Sequence, residues 1–408
     1  MNPVGFALAL LLVAVPARAF GDSLRASPSD GLRWNSADGQ LALHAGGVFA
    51  GELVIHDSDN HSGSGLRTDL AKPIVEASYG DAWRLRIAGD LEGTKTASNL
   101  YEAFVSWSGV PGLRVSAGLL QLPLGFEAGT RAEDLSLIEH SFSYYLNYRT
   151  DWALRVEGEL ADGGFEWDLA AALGDGFDAN GETQRGPRVS ARAFARPLRS
   201  LAGADASFLE SLAAGLFLGG GYAYGWDWDG SLRIRGPAGV RLFDTMRFEA
   251  DRHHSYALSF GVEVGAVRLY WEGTRGGYFD VQTSVGERDL DDQTDSWHTT
   301  LSWRIVGPDY DGRIYREREL APLGPNVWEL ALRYANGDID RDFYELALAD
   351  YPTSSQEFRT TAVTLSWYAT RNLRLSAEVA RTQADDDIAS LGFEGSDEVA
   401  ILRAQYRF

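Results

Sequence analysis

Asp397–Phe408 reads DEVAILRAQYRF, and this stretch decides the fold. In an extended chain Ala400, Leu402, Ala404, Tyr406 and Phe408 fall on one side, and Arg403, Gln405 and Arg407 on the other. A strand with one apolar and one polar face, closing on an aromatic residue, suits the wall of a transmembrane β-barrel. There one face meets lipid and the other a watery interior, so the alternation is a physical requirement. An edge strand of a soluble sandwich would show the same local pattern. The rest of the chain discriminates between them.

At the other end, Val4–Val15 is an apolar run too short to span a bilayer as a helix. Pro16 and Ala17-Arg18-Ala19 then supply a small-x-small cleavage site before Phe20, although no Lys or Arg precedes the run. The expected organisation is a removed signal peptide over 1–19, a loose periplasmic lead over 20–40, and one barrel domain over 41–408. No later segment offers the ~18 uninterrupted apolar residues that a membrane helix needs.

Composition narrows the class. The chain has no cysteine, which excludes disulfide frameworks and thiolate metal sites. Its 45 Gly, 12 Trp, 17 Tyr and 19 Phe suit a barrel with many turns and aromatic girdles. Mean hydropathy is only −0.21, compatible with a membrane wall in which alternate residues alone are apolar. A formal charge of −21 argues against nucleic acid as a partner, because phosphate binding needs basic surface. Lys72 and Lys95 are the only lysines; the other basic residues are arginines, rigid and permanently charged.

From Leu41 the two-residue period recurs in segments of about ten residues. Trp83, Leu85 and Ile87 oppose Arg84 and Arg86; Leu113 and Val115 oppose Arg114; Trp152, Leu154 and Val156 oppose Arg155 and Glu157. Counting on to the C-terminus predicts sixteen antiparallel strands, an all-β transmembrane barrel. Short connections (80–81, 109–112, 161–164, 265–266, 369–372) alternate with long ones (57–72, 121–150, 174–187, 227–252, 278–295, 336–357, 383–396). That asymmetry is the expected one between periplasmic turns and extracellular loops. Connections 197–214 and 306–325 are long on the short side, and the pattern gives no reason for them.

Several motifs fall in a recognisable order. Tyr101-Glu-Ala-Phe-Val105, Gly109-Val-Pro-Gly-Leu-Arg-Val115, Gly118 and Gln121-Leu-Pro-Leu-Gly-Phe-Glu127 are followed by Asp134–Glu139 and Asn147–Asp151. Trp328–Tyr334, Leu365–Tyr368, Asn372–Leu375 and Leu402–Phe408 complete the set. The chain thus resembles the phosphate-selective porin O/P family. The resemblance implies a sixteen-stranded, usually trimeric porin whose third extracellular loop, here 121–150, folds into the lumen as a constriction. Two departures stand out. The family's Arg-Arg-x-Arg cluster is reduced to Arg67 and Lys72, and Gln121 takes the place of a Lys before Pro123. Arg149 matches the basic residue near the loop's end.

Lumen-side parity yields a basic set of Arg84, Arg86, Arg114 and Arg155, continued by Arg188, Arg192, Arg268, Arg304, Arg333, Arg374, Arg403 and Arg407. Across from it the loop carries Glu127, Glu133, Asp134 and Glu139. Such opposed ladders would set a transverse field that orients solutes; alternatively the charges pair and merely keep the lumen wet. Together with Arg67, Lys72, Gln121 and Arg149 these are the candidate pore residues.

No cofactor is expected. His253-His254 beside Asp251 point to opposite faces of a strand, which disfavours a shared metal. The acidic tips at Asp57–Ser62 and Asp175–Glu182 read as solvated loops rather than cation sites. No Gly-x-Ser-x-Gly elbow, His-Glu-x-x-His or P-loop occurs. The reading that follows is passive diffusion of small hydrophilic solutes or ions, with outer-membrane lipid and lipopolysaccharide as surroundings and a homotrimer as the assembly. The competing classes are an outer-membrane lipase or protease barrel, which needs a Ser or acid paired with a His, and a non-conducting adhesin. His140 is the His nearest the expected constriction.

Overall fold

A computed structural model describes residues 24–57, 64–91, 100–146, 150–161, 163–174, 186–201, 203, 207–283, 286–310, 324–385, 388 and 395–408. Arg149, His61, the signal region 1–19 and the tip 175–182 lie outside the described residues.

The barrel wall has sixteen strands: β3 (Leu41–His56), β4 (Gly65–Tyr79), β5 (Trp83–Gly89), β6 (Leu100–Val110), β7 (Leu113–Gln121), β8 (Thr150–Leu160), β9 (Phe165–Ala172), β10 (Arg188–Ala195), β11 (Leu216–Gly230), β14 (Phe248–Val264), β15 (Val267–Thr283), β16 (Gly286–Val306), β17 (Val327–Ile339), β18 (Glu357–Tyr368), β19 (Leu373–Ala384) and β20 (Ser396–Arg407). Each pairs antiparallel with its neighbour. The ring closes where β20 pairs with β3 from Val399↔His56 to Arg407↔Val48. Closure leaves no strand edge, the condition for carrying backbone amides through lipid.

The alternation read from sequence holds along the wall. Trp83, Trp152, Leu154, Leu169, Phe260 and Leu402 point outward and are exposed, whereas Arg86, Arg155, Asp168, Glu272 and Arg403 point inward and are buried. Val399 and Ile401 of β20 also point inward, where they pack on Leu137 and Ile138 of the inserted loop. The short turns use residues that tolerate positive φ, as at Gly80 (φ 56°) and Gly265 (φ 53°).

Several expectations change. The lead is not loose over its described part. Strands β1 (Arg25–Ser27) and β2 (Gly31–Asn35) form a hairpin, and β2 pairs with β3 from Leu32↔Ala45 to Asn35↔Ala42. It covers the stretch of β3 that β20 is too short to reach. The second barrel strand begins at Gly65, so the connection expected over 57–72 is shorter than the sequence pattern suggests. The expected loop 278–295 is a tall hairpin of β15 and β16. Its upper part extends past the end of β17, where Arg288 donates to Asp342 at 2.9 Å.

The two long connections on the short side also acquire reasons. Connection 197–214 carries the helix Phe208–Gly215, started by a capping box in which Ser207 and Glu210 satisfy each other's amides. Of connection 306–325, residues 306–310 and 324–325 are described, and its start is anchored at Tyr310. Tyr310 N–H bonds Gly265 O at 2.9 Å, its hydroxyl donates to Glu329 at 2.8 Å, and its ring lies 3.9 Å from the Arg304 guanidinium.

Candidate functional site

Between β7 and β8 the chain does not stay at the rim. Leu122, Leu124, Phe126, Glu127, Leu135, Leu137, Ile138 and Phe142 are all buried, which places the loop inside the barrel. The wall is shaped to receive it. At Gly221 of β11 an added Cβ would lie 2.2 Å from Leu124 O, so only glycine permits this approach. At Gly125 a Cβ would meet the Glu272 carboxylate at 2.9 Å. Glu272 also accepts from the backbone N–H groups of Phe126 and Glu127.

The loop is tied to the wall all round. Lys72 donates to Glu133 at 2.9 Å, Arg407 to Asp134 at 2.6 Å, Arg67 to Glu139 at 2.9 Å and Arg333 to Glu127 at 2.7 Å. Arg374 donates to the carbonyls of Leu135 (2.6 Å) and Ser136 (3.0 Å), and Ile138 N–H bonds Glu378 at 2.7 Å. Each loop carboxylate thus meets a wall cation, the pairing that repays burial of either charge.

The sequence-derived candidates separate into two groups. Arg67, Lys72, Glu127, Glu133, Asp134 and Glu139 come together at the inserted loop. Arg84, Arg86, Arg114 and Arg155 are held by strand carboxylates, one of which, Glu102, also accepts from Arg131 of the loop at 3.4 Å. Arg84 donates to Glu76 at 2.7 Å, Arg86 to Glu102 at 2.9 Å and Arg155 to Asp168 at 2.9 Å, while Arg114 lies 3.1 Å from Glu157. All four therefore pair with strand carboxylates. Gln121 donates to Ala128 O and so fastens the loop's own base. Glu272, His298 and Ser296 also belong to the loop's seat, yet strand parity alone gave them no role.

Burial would raise the Glu127 carboxyl, but Arg333, with His298 and His140, holds it below the usual carboxylate range. Glu133 behaves likewise: burial opposes ionisation and Lys72, Arg407 and Arg131 overcome it. Its neighbour Asp134 is raised by burial, against the pull of Arg407. Glu139 is pushed up to about 7 by burial and by the adjacent Asp69 carboxylate, with Arg67 acting in the opposite sense.

A second element crosses the lumen, one that no periodicity in the sequence announces. In the connection between β11 and β14, strands β12 (Arg233–Arg235) and β13 (Arg241–Asp244) form a hairpin whose tip reaches the opposite wall. There Ala238 O accepts from Arg67 of β4 at 2.9 Å, and Gly236 lies against Thr382 of β19. Above it, residues 340–356 clasp the hairpin: Ser355 N–H bonds Leu242 O (2.8 Å), Met246 N–H bonds Leu348 O (2.8 Å), and Phe243 meets Phe343 edge-on at 5.7 Å. An apolar cluster including Leu242, Phe243, Phe343, Leu346 and Phe358 therefore fills the long-loop half of the barrel.

His140 stacks on Tyr144 with ring centroids 3.5 Å apart. His253 is buried in the lumen. Among the described residues no three potential metal ligands cluster.

No protein-family model and no curated protein matches the chain. Solved structures do resemble it. An anion-selective porin from Comamonas acidovorans aligns with TM-score 0.56 over 90% of this chain and 100% of that one, at 13% identity. The outer-membrane channel DcaP of Acinetobacter baumannii aligns with TM-score 0.54 over 92% and 99%, at 12% identity. OprB of Pseudomonas putida aligns with TM-score 0.54 over 90% and 94%, at 11% identity. At such identities the likeness is one of fold.

Proposed function

We propose that the chain is an outer-membrane porin passing small hydrophilic solutes or ions by diffusion. The observation that carries this reading is the inserted loop, held across a charged lumen by four cation–carboxylate pairs. A soluble sandwich has no use for an apolar outer wall around a charged interior. A membrane channel needs both. Cleavage after Ala19, residence among outer-membrane lipid and lipopolysaccharide, and assembly as a homotrimer belong to the same proposal. Liposome swelling tests it: vesicles holding the purified protein should admit small sugars and exclude large ones, and equal exclusion of all sizes would refute it.

Arg67, Lys72, Gln121, Arg149 and the four loop carboxylates are the proposed constriction residues, with Arg84, Arg86, Arg114 and Arg155 lining the short-turn half. Membership of the phosphate-selective subfamily is the weaker part of the proposal. Both cations remaining from its basic cluster already hold carboxylates, and Gln121 holds Ala128 O.

One arrangement favours an enzyme instead. Ser143 Oγ lies 3.4 Å from His298 Nδ1, and His298 Nε2 lies 3.2 Å from Glu127. All three side chains are fully buried and Glu127 is shared with Arg333, so the set reads as a strut under the loop. Labelling of Ser143 by a serine-directed phosphonate would revive the hydrolase reading.

A further inference from the structure

We propose that the hairpin of β12 and β13 is a gate over the long-loop end of the barrel and that Arg67 is its latch. This inference rests on the diffusion reading above and concerns how that path opens. β11 and β14 are the ninth and tenth strands of the ring, whereas Arg67 sits on the second. The hairpin therefore spans the full diameter from a root on two adjacent strands, the geometry of a flap. At its far end it is not woven into the wall by a strand ladder. It is held by one hydrogen bond from the Arg67 guanidinium to Ala238 O, by contact at Thr382, and by packing of the small Ala238 side chain against the cluster of Val54, Leu137, Val399 and Ile401.

Arg67 is suited to the task because it joins three bodies. Its Nε donates to Glu52 of the wall at 2.7 Å, Nη2 to Glu139 of the constriction loop at 2.9 Å and Nη1 to the hairpin tip at 2.9 Å. The Arg67 side chain is one-third exposed, so water can replace its bond to Ala238 O at small cost. The clasp with residues 340–356, through Ser354, Ser355 and Leu348, makes the flap and that segment one unit. The closed position is favoured because Ile234, Leu242 and Phe243 share one apolar cluster with Leu124, Phe142 and Phe358 of the loop and wall, part of which opening would wet.

The chain has no cysteine, so a reversible lock can be added cleanly. A Cβ built at Gly236 lies 3.4 Å from Thr382 Oγ1 and 3.6 Å from its Cγ2, and φ at Gly236 is −84°, so Gly236→Cys and Thr382→Cys place two thiols within reach of each other. Single-channel recording is made on this double variant, oxidised and then reduced in the same bilayer. The gate predicts that oxidation suppresses conducting events at least tenfold and that reduction restores them. Equal conductance with the disulfide verified overturns the gate while leaving the diffusion reading intact. Silence of the unmodified chain in the same bilayers removes both. Independently, Arg67→Gln should raise the open fraction on the order of tenfold, the worth of one charge-assisted hydrogen bond. An unchanged open fraction overturns the latch.

Discussion

Gly47 and Phe408 exchange a pair of backbone hydrogen bonds, Gly47 N–H to Phe408 O at 2.9 Å and Phe408 N–H to Gly47 O at 3.0 Å. The last residue of the chain thus completes the pairing of the last strand with the first. The neighbouring hairpin is joined to the same point, because Asn372 donates to both Arg407 O and Ser29 O at 2.6 Å. Deleting Phe408, or placing a polar residue there, should lower the folded fraction on unheated gels several-fold. Wild-type assembly of the deletion would show that closure does not depend on this contact.

Arg333 carries the deepest tie of the inserted loop. Arg333→Ala would leave Glu127 buried without its main counter-charge, so we expect a loss of about 3 kcal/mol. Urea unfolding in detergent measures this. The same variant should show larger or noisier single-channel steps as the loop loosens.

Gly221 offers a steric test that leaves every charge in place. Gly221→Val would drive a methyl group into Leu124 O and push the loop off its seat. The barrel should still assemble, because β11 keeps its ladder, while conductance shifts. Unaltered conductance would mean that the loop at Leu124 does not border the path.

Glu139 provides the pH dependence. Its folded value of about 7 lies above the ordinary 4.5, so between these values the folded loop binds a proton that the unfolded chain does not. Stability from this group is full below about pH 4.5 and declines as pH rises through 7. The charged groups around it are Asp69, Glu52, Arg67 and Arg403. The urea midpoint of Glu139→Gln should therefore rise relative to that of the wild type between pH 5 and pH 8. A gap between wild type and variant that does not change with pH would contradict the assignment.

Ion preference should be weak. Selectivity depends on charge within about 8 Å of the constriction at physiological salt. There Arg67, Lys72, Arg333 and Arg407 are each matched by a carboxylate. Reversal potentials in a salt gradient should lie near zero with modest anion tolerance, and chloride current should show no high-affinity phosphate block. Micromolar block would restore the phosphate function that Gln121 argues against.

The wall was legible in the sequence because its physics is periodic: each strand must turn one face to lipid, and the last twelve residues alone display it. What period two cannot carry was missed. The hairpin 233–244 lies inside the barrel through packing of Leu242 and Phe243 on Phe343, a contact between distant connections. Residues 278–295 read as a loop because register shifts between Gly276 and Val281 break the two-residue period, although Tyr278, Val281 and Leu290 all reach the core. The pairing of Arg84, Arg86, Arg114 and Arg155 with strand carboxylates depends on cross-strand register. Parity places a side chain in the lumen but does not choose its partner.

Conductance of single purified barrels in a planar bilayer tests the central claim most directly. The account predicts discrete, stepwise increments in salt, of a size altered by Gly221→Val and by Arg333→Ala. Folded, correctly inserted protein giving no steps in the wild-type form or in either variant would contradict it.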